Sequence, residues 1–101
     1  MISTGIYMIS YSNLLRLYKK ARDMKAHIVF SFEGTRYKLV INRYIHARDE
    51  YDRRVPWTVA FGSKLPHDVL STFKVKSIVV KLGDRTLNFN DLREFLKWIG
   101  A

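Results

Sequence analysis

The stretch from His27 to Arg54, HIVFSFEGTRYKLVINRYIHARDEYDRR, most constrains what this chain can fold into. His27 to Glu33 alternates: Ile28, Phe30 and Phe32 point one way, and His27, Val29, Ser31 and Glu33 the other. Gly34 and Thr35 supply a turn, because glycine takes positive φ at little steric cost. Arg36 to Ile45 continues the alternation, with Tyr37, Leu39 and Ile41 on one face and Arg36, Lys38, Val40, Asn42 and Tyr44 on the opposite one. One face is mostly apolar and the other mixed, as in an antiparallel sheet covered on one side only. The pattern predicts a central hairpin. The segment after it, HARDEYDRR (His46–Arg54), fits either a loop or a short helix.

Elsewhere the periods are those of an α+β chain. Ser12 to Lys25 predicts a helix capped by the Ser12 hydroxyl, with Leu14, Leu17, Tyr18, Ala21 and Met24 as its apolar stripe. Pro56 ends any helix before it, and Trp57 to Phe61 then alternates as a strand with Trp57, Val59 and Phe61 on one face. Pro66 to Phe73 predicts a short helix, since proline suits a first helical position. Val75–Leu82 and Arg85–Phe89 read as strands joined by the Gly83-Asp84 turn. Asn90 then caps a helix whose stripe is Leu92, Phe95, Leu96 and Ile99, and Gly100 stops it. Residues 1–11 have no clear period; Ile6 to Ile9 form either a short edge strand or a loosely held arm.

The expected order is α-β-β-(loop)-β-(short α)-β-β-α. No strand–helix–strand unit repeats, so a parallel doubly wound sheet is not expected. The predicted fold is α+β: a mainly antiparallel four- to five-stranded sheet, with two amphipathic helices, N- and C-terminal, packed on one face. The length of 101 residues fits a single domain over 1–101, and 48% hydrophobic residues suffice for a core rather than disorder. The first residues lack the charged start and apolar run of a signal peptide, and no apolar run approaches the roughly 20 residues that span a bilayer. A soluble, cytoplasmic protein with no membrane partner is expected.

Charge narrows the partner. The formal net charge is +9, which favours an anionic partner: nucleic acid or an acidic protein surface. The excess is uneven. Residues 1–25 carry five basic residues against one acidic, whereas residues 84–101 balance three against three. Arg16, Lys19, Lys20 and Arg22 spread over the first helix, where they serve either as a solvated back or as a phosphate footprint. Tyr44, Tyr51 and Trp57 bracket the stretch Arg43–Arg54, and arginine grips phosphate while aromatic rings stack on exposed bases. The expected contact residues are therefore Arg16, Lys19, Lys20, Arg22, Arg36, Lys38, Arg43, Tyr44, Arg48, Tyr51, Arg53 and Arg54. Because Asp49, Glu50 and Asp52 offset most of its arginines, the segment after the hairpin is a mixed-charge loop, which moves weight toward a protein partner.

Catalytic signatures are sparse. There is no cysteine, which removes thiol chemistry and disulfides. G-x-S-x-G, G-x-G-x-x-G and Walker A patterns are missing, as are zinc-finger and RRM signatures. His46, Asp49, Glu50 and Asp52 are the one cluster with metal-ligand chemistry, but interleaved Arg48, Arg53 and Arg54 oppose a cation. No metal, no cofactor and no catalytic residue is assigned. The leading expectation is a small non-enzymatic module that binds nucleic acid through phosphates. The alternatives are a phage- or mobile-element-type inhibitor binding an acidic protein surface, and a cofactor-free ribonuclease drawing on His46, Arg48, Glu50, Tyr51 and Arg53. A homodimer through the mixed sheet face or a sheet edge is a further possibility.

Overall fold

The computed structural model describes residues 9–101. The edge strand or arm expected over residues 1–11 lies largely outside them. Ile9, the first described residue, is buried; its N–H donates to Ser71 Oγ at 3.0 Å, and the Ser71 hydroxyl donates back to its carbonyl.

Helix α1 runs Tyr11–Met24. Its cap is Ser10, two residues before the expected Ser12. Ser10 Oγ accepts from the Asn13 N–H at 3.1 Å, and Asn13 Oδ1 accepts from the Ser10 N–H, so two orphan amides are satisfied reciprocally. Leu14, Leu17 and Ala21 are buried and Tyr18 half-buried, as the stripe predicts, but Met24 is 40% exposed because the helix ends there. Lys25 closes α1 in the left-handed region (φ 55°).

The sheet has six antiparallel strands rather than four or five: β1 His27–Phe32, β2 Lys38–Ile41, β3 Ile45–Arg48, β4 Arg54–Val55, β5 Val75–Leu82 and β6 Arg85–Phe89, in the order β4-β3-β2-β1-β5-β6. β1 is central, paired with β2 on one side (Val29 opposite Val40) and β5 on the other (Val29 opposite Val79). The expected single strand Arg36–Ile45 is instead two strands around a turn at residues 42–44. The Asn42 side chain accepts from the Tyr44 N–H at 3.0 Å, and the Asn42 N–H donates to the Tyr44 carbonyl at 3.1 Å. The alternation hides this turn. Leu39, Ile41, Ile45 and Ala47 keep the same parity through it, so the inward set looks unbroken.

Two further segments differ from expectation. His46–Arg54 is neither a plain loop nor a helix: it completes β3, turns through Asp49–Arg53 and enters β4. Trp57–Phe61 is helix α2, not a strand, with Pro56 at its cap position and the Val59 and Ala60 N–H groups donating to the Pro56 carbonyl. Trp57 and Phe61 share a side under either period, being four apart, and their rings sit 4.8 Å apart. Val59 distinguishes the two, since it is 58% exposed.

α3 (Pro66–Thr72) forms where a short helix is expected, with proline at its first turn, and α4 (Leu92–Ile99) follows its predicted stripe, although α4 is capped by Asp91 accepting from the Arg93 N–H, not by Asn90. Ile28, Phe30, Phe32, Leu39, Ile41, Ala47, Ile78 and Val80 from the sheet form one core with buried residues of all four helices. Phe30 meets Phe95 edge-on at 5.5 Å. Each fully buried large side chain contributes about 1.5–3 kcal/mol by leaving water. The helices therefore lie on one face of the sheet, and no helix among the described residues covers the other. Among the described residues no helix is long and apolar enough to cross a membrane.

Candidate functional site

Period-two alternation sends every second residue of each strand to the helix-free face. Strand register then sets which of them are neighbours. Arg54 stands opposite Arg48, and Arg48 opposite Lys38, so three cations from three strands form one row. A second row runs His46, Val40, Val29, Val79, Asn88. In a third, His27 stands opposite Lys81, and Lys81 opposite Thr86.

Two histidines lie inside this field. His46 is buried to 7% exposure, and its Nε2 accepts from Arg48 Nε at 3.1 Å. Its Nδ1 is sealed from solvent without a hydrogen bond of ordinary geometry. Arg48 is held from the other side by Asp52, both of whose carboxylate oxygens lie 3.2 Å from its guanidinium. His27 Nδ1 lies 3.3 Å from Asn42 Nδ2. Because Asn42 Oδ1 already accepts from the Tyr44 N–H, the amide nitrogen faces His27; Nδ1 is then the acceptor and Nε2 carries the proton. Burial lowers the pKa of His27, helped by Arg48 and Lys81 and opposed by Asp52. Burial also lowers that of His46, helped by Arg54 and Arg48 and opposed by the Tyr44 carbonyl. Both shifts favour the neutral rings, burial first and the neighbouring cations second.

The face continues into a cleft at the end where α1 finishes, β1 begins and the β2–β3 turn folds over. It encloses about 760 Å³ and is lined by Arg22, Lys25, His27, Asn42, Arg43 and Tyr44 against a wall of Tyr18 and two alanines. The Tyr18 hydroxyl donates to the Arg43 carbonyl, and the Arg22 guanidinium lies 5.6 Å from the Tyr18 ring centre. These contacts fix the Tyr18 wall of the cleft.

At the opposite end of the strands, next to the row Lys38–Arg48–Arg54, three carboxylates are each taken up by an arginine. Asp49 Oδ1 accepts from the Tyr51 and Arg53 N–H groups, both at 2.9 Å, and Oδ2 from Arg53 Nε at 3.0 Å. The bond from the Arg53 amide, above all, holds the Asp49 carboxyl below the usual carboxylate range. Arg36 pairs with Glu50 at 3.6 Å. Asp49, Glu50 and Asp52 are thus each engaged by an arginine, and no group of three or more metal-ligating side chains comes together among the described residues.

The structure therefore divides the expected contact residues into four groups. Lys38, Arg48 and Arg54 form the row on the helix-free face, beside a row in which Val40 and His46 are buried. Arg22, Arg43 and Tyr44 line the cleft. Arg36, Tyr51 and Arg53 belong to the self-paired turn, Arg53 lying over the Tyr51 ring at 5.0 Å. Arg16, Lys19 and Lys20 are exposed on α1, in the helix layer on the other side of the sheet, where Lys20 reaches over Gly100. Sequence reasoning passed over His27, Lys25, Asn42 and Lys81 as contact residues, and placed His46 only in the ribonuclease alternative and the metal-ligand cluster. His27 and His46 looked like isolated strand-end histidines, although both lie on the mixed-face parity. Asn42 signals its turn by residue type alone.

Chemically, the site offers cations and N–H donors and few acceptors. His46 has one ring nitrogen occupied and the other sealed, so it cannot relay a proton as it stands. His27 is the one histidine among the described residues that line the cleft. Comparison with family models, with curated proteins and with solved structures gives no match.

Proposed function

We propose that the chain is a small non-enzymatic module that binds nucleic acid, mostly through phosphates, on the helix-free face of its sheet. The observation that carries this reading is the row Lys38–Arg48–Arg54. Like charges directly opposite one another in adjacent strands are unfavourable, and here two such pairs occur with only Asp52 to offset them. A polyanion laid across the row removes the repulsion, and Lys81 and the cleft cations extend the same field. Arg48 acts mainly as the positioning residue, since its guanidinium is already shared between His46 and Asp52.

Salt dependence tests it. With about four phosphates neutralised, affinity for a single strand falls roughly 50-fold between 50 and 200 mM salt. Replacing Lys38, Arg48 and Arg54 together by glutamine abolishes most of that dependence. Binding that persists unchanged across the salt range sinks the reading.

One observation favours an acidic protein surface instead. Val29 and Val79 sit half-buried in the middle of the helix-free face, and a protein partner gains from covering them where a phosphate backbone does not. Pull-down after nuclease treatment separates the two: a stoichiometric protein retained without nucleic acid supports this second reading against the first.

A further inference from the structure

We infer that the cleft between the end of α1 and the β2–β3 turn receives an unpaired base and its phosphate, so that the partner is single-stranded nucleic acid rather than duplex; this rests on the reading above. Four features carry it. The cleft is a half-open concavity of about 760 Å³, within the range of small-molecule sites and large enough for one nucleotide. A base inside a duplex is stacked and paired and cannot enter such a recess, whereas a single strand can turn one in.

The cleft's charge selects an anion. Arg22, Lys25 and Arg43 line it, and its described lining holds no carboxylate. The C-terminus of α1 contributes roughly half a negative charge nearby, which three full positive charges more than offset. Lys25 is tied to this position by its left-handed cap conformation, its N–H bonding back to the Ala21 and Arg22 carbonyls.

Its rim offers a stacking surface. Tyr44 is 61% exposed, and among the described residues its ring makes no ring contact and its hydroxyl no hydrogen bond. Yet its backbone is fixed by the reciprocal bonds with Asn42. A planar ring held out on a rigid turn loses little freedom when a base stacks on it. Tyr18, by contrast, is committed to the Arg43 carbonyl and serves as wall.

Finally, the cleft joins the open face. His27 belongs to both: it lines the recess and stands opposite Lys81 on the sheet. A strand whose phosphates follow the cationic face is thereby led into the recess. The hydrogen-bonded pair Asn42–His27 at this junction presents the His27 Nε2 proton as a donor to a phosphate or base carbonyl.

The test uses the full chain and fluorescently labelled 12-mers: single-stranded RNA, single-stranded DNA and the corresponding duplexes, read by anisotropy at fixed salt. Single strands bind at least tenfold more tightly than duplexes, and comparison of the RNA and DNA arms identifies which sugar the site prefers. Tyr44→Ala weakens single-strand binding by roughly tenfold and leaves duplex binding unchanged, while Tyr44→Phe retains the wild-type value. Arg43→Gln lowers the salt slope for single strands by about one contact. Tyr44 is exposed, so thermal melts confirm that both variants fold. Duplex binding as tight as single-strand binding, or a silent Tyr44→Ala, overturns the inference while leaving salt-dependent binding by the sheet face in place. Absence of binding to every probe overturns both.

Discussion

Arg48 stands directly opposite Arg54 in the two-residue ladder that joins β3 to β4. Lys38 flanks Arg48 on its other side, and among the described residues only Arg48 of the three is paired with a carboxylate, Asp52 at 3.2 Å. That carboxylate is 62% exposed, so its attraction is screened. β4 is also the shortest strand and forms an edge, where pairing is weakest. The repulsion therefore falls where the sheet has least to hold it, and relieving it has a measurable effect.

Arg54→Thr raises stability by roughly 0.2–1 kcal/mol, because it removes one like-charge pair and places a β-branched residue in the strand. Urea denaturation reads this as a higher midpoint at unchanged slope. The same substitution weakens nucleic-acid binding and reduces its salt slope by about one. A stability that stays constant or falls shows that Arg48 and Arg54 do not repel.

Stability declines as pH falls from 7 toward 5. His27 and His46 have folded pKa values below the ordinary 6.5, so the unfolded chain binds protons first. Their contribution is fully present above 6.5 and is lost as pH falls through the lowered folded values. Binding moves in the opposite direction. A phosphate beside the His27 ring favours its charged form, so affinity rises as pH falls over the same interval, at constant salt. Melting temperatures across pH 5–8 check the first effect. In His46→Leu they change less steeply with pH than in the wild type; an identical profile in the variant removes His46 from the account.

Ser71→Ala costs about 1–3 kcal/mol. The Ser71 hydroxyl accepts from the Ile9 N–H and donates to the Ile9 carbonyl inside the protein, so its loss leaves two buried backbone groups unpaired. Chemical denaturation measures the total. Amide exchange at Ile9 reports the local part, rising well above that of α3.

Two substitutions in α2 separate helix from strand. Phe61→Ala costs about 3–5 kcal/mol, since Phe61 is buried among Phe32, Trp57 and Phe73. Val59→Lys changes stability by less than about 0.5 kcal/mol, because Val59 faces solvent on the helix. A strand with Val59 beside Phe61 on the buried face would make both costly. Parallel urea titrations of the two variants decide the matter.

By itself the sequence determined the parts of the fold that rest on local period and punctuation. The stripes of α1 and α4, the alternation of β1 and β5, the Gly34 and Gly83 turns and the one-sided sheet are all written in residue spacing. It also determined the sign of the field, because net charge needs no geometry. It left the turn at Asn42–Tyr44 invisible, since parity survives it, and it left α2 ambiguous, since residues four apart satisfy both periods. Only tertiary structure decided which charges remain available. Asp49 and Glu50 turn back onto Arg53 and Arg36 through contacts local to the fold's far end, while Arg54, Arg48 and Lys38 are aligned by pairing across three strands. Register likewise brought His27 beside Lys81, from the other end of the chain, and packing brought the β2–β3 turn beside the end of α1. Those neighbours are distant in sequence, and a chain's local pattern carries no record of which strand will lie next to which.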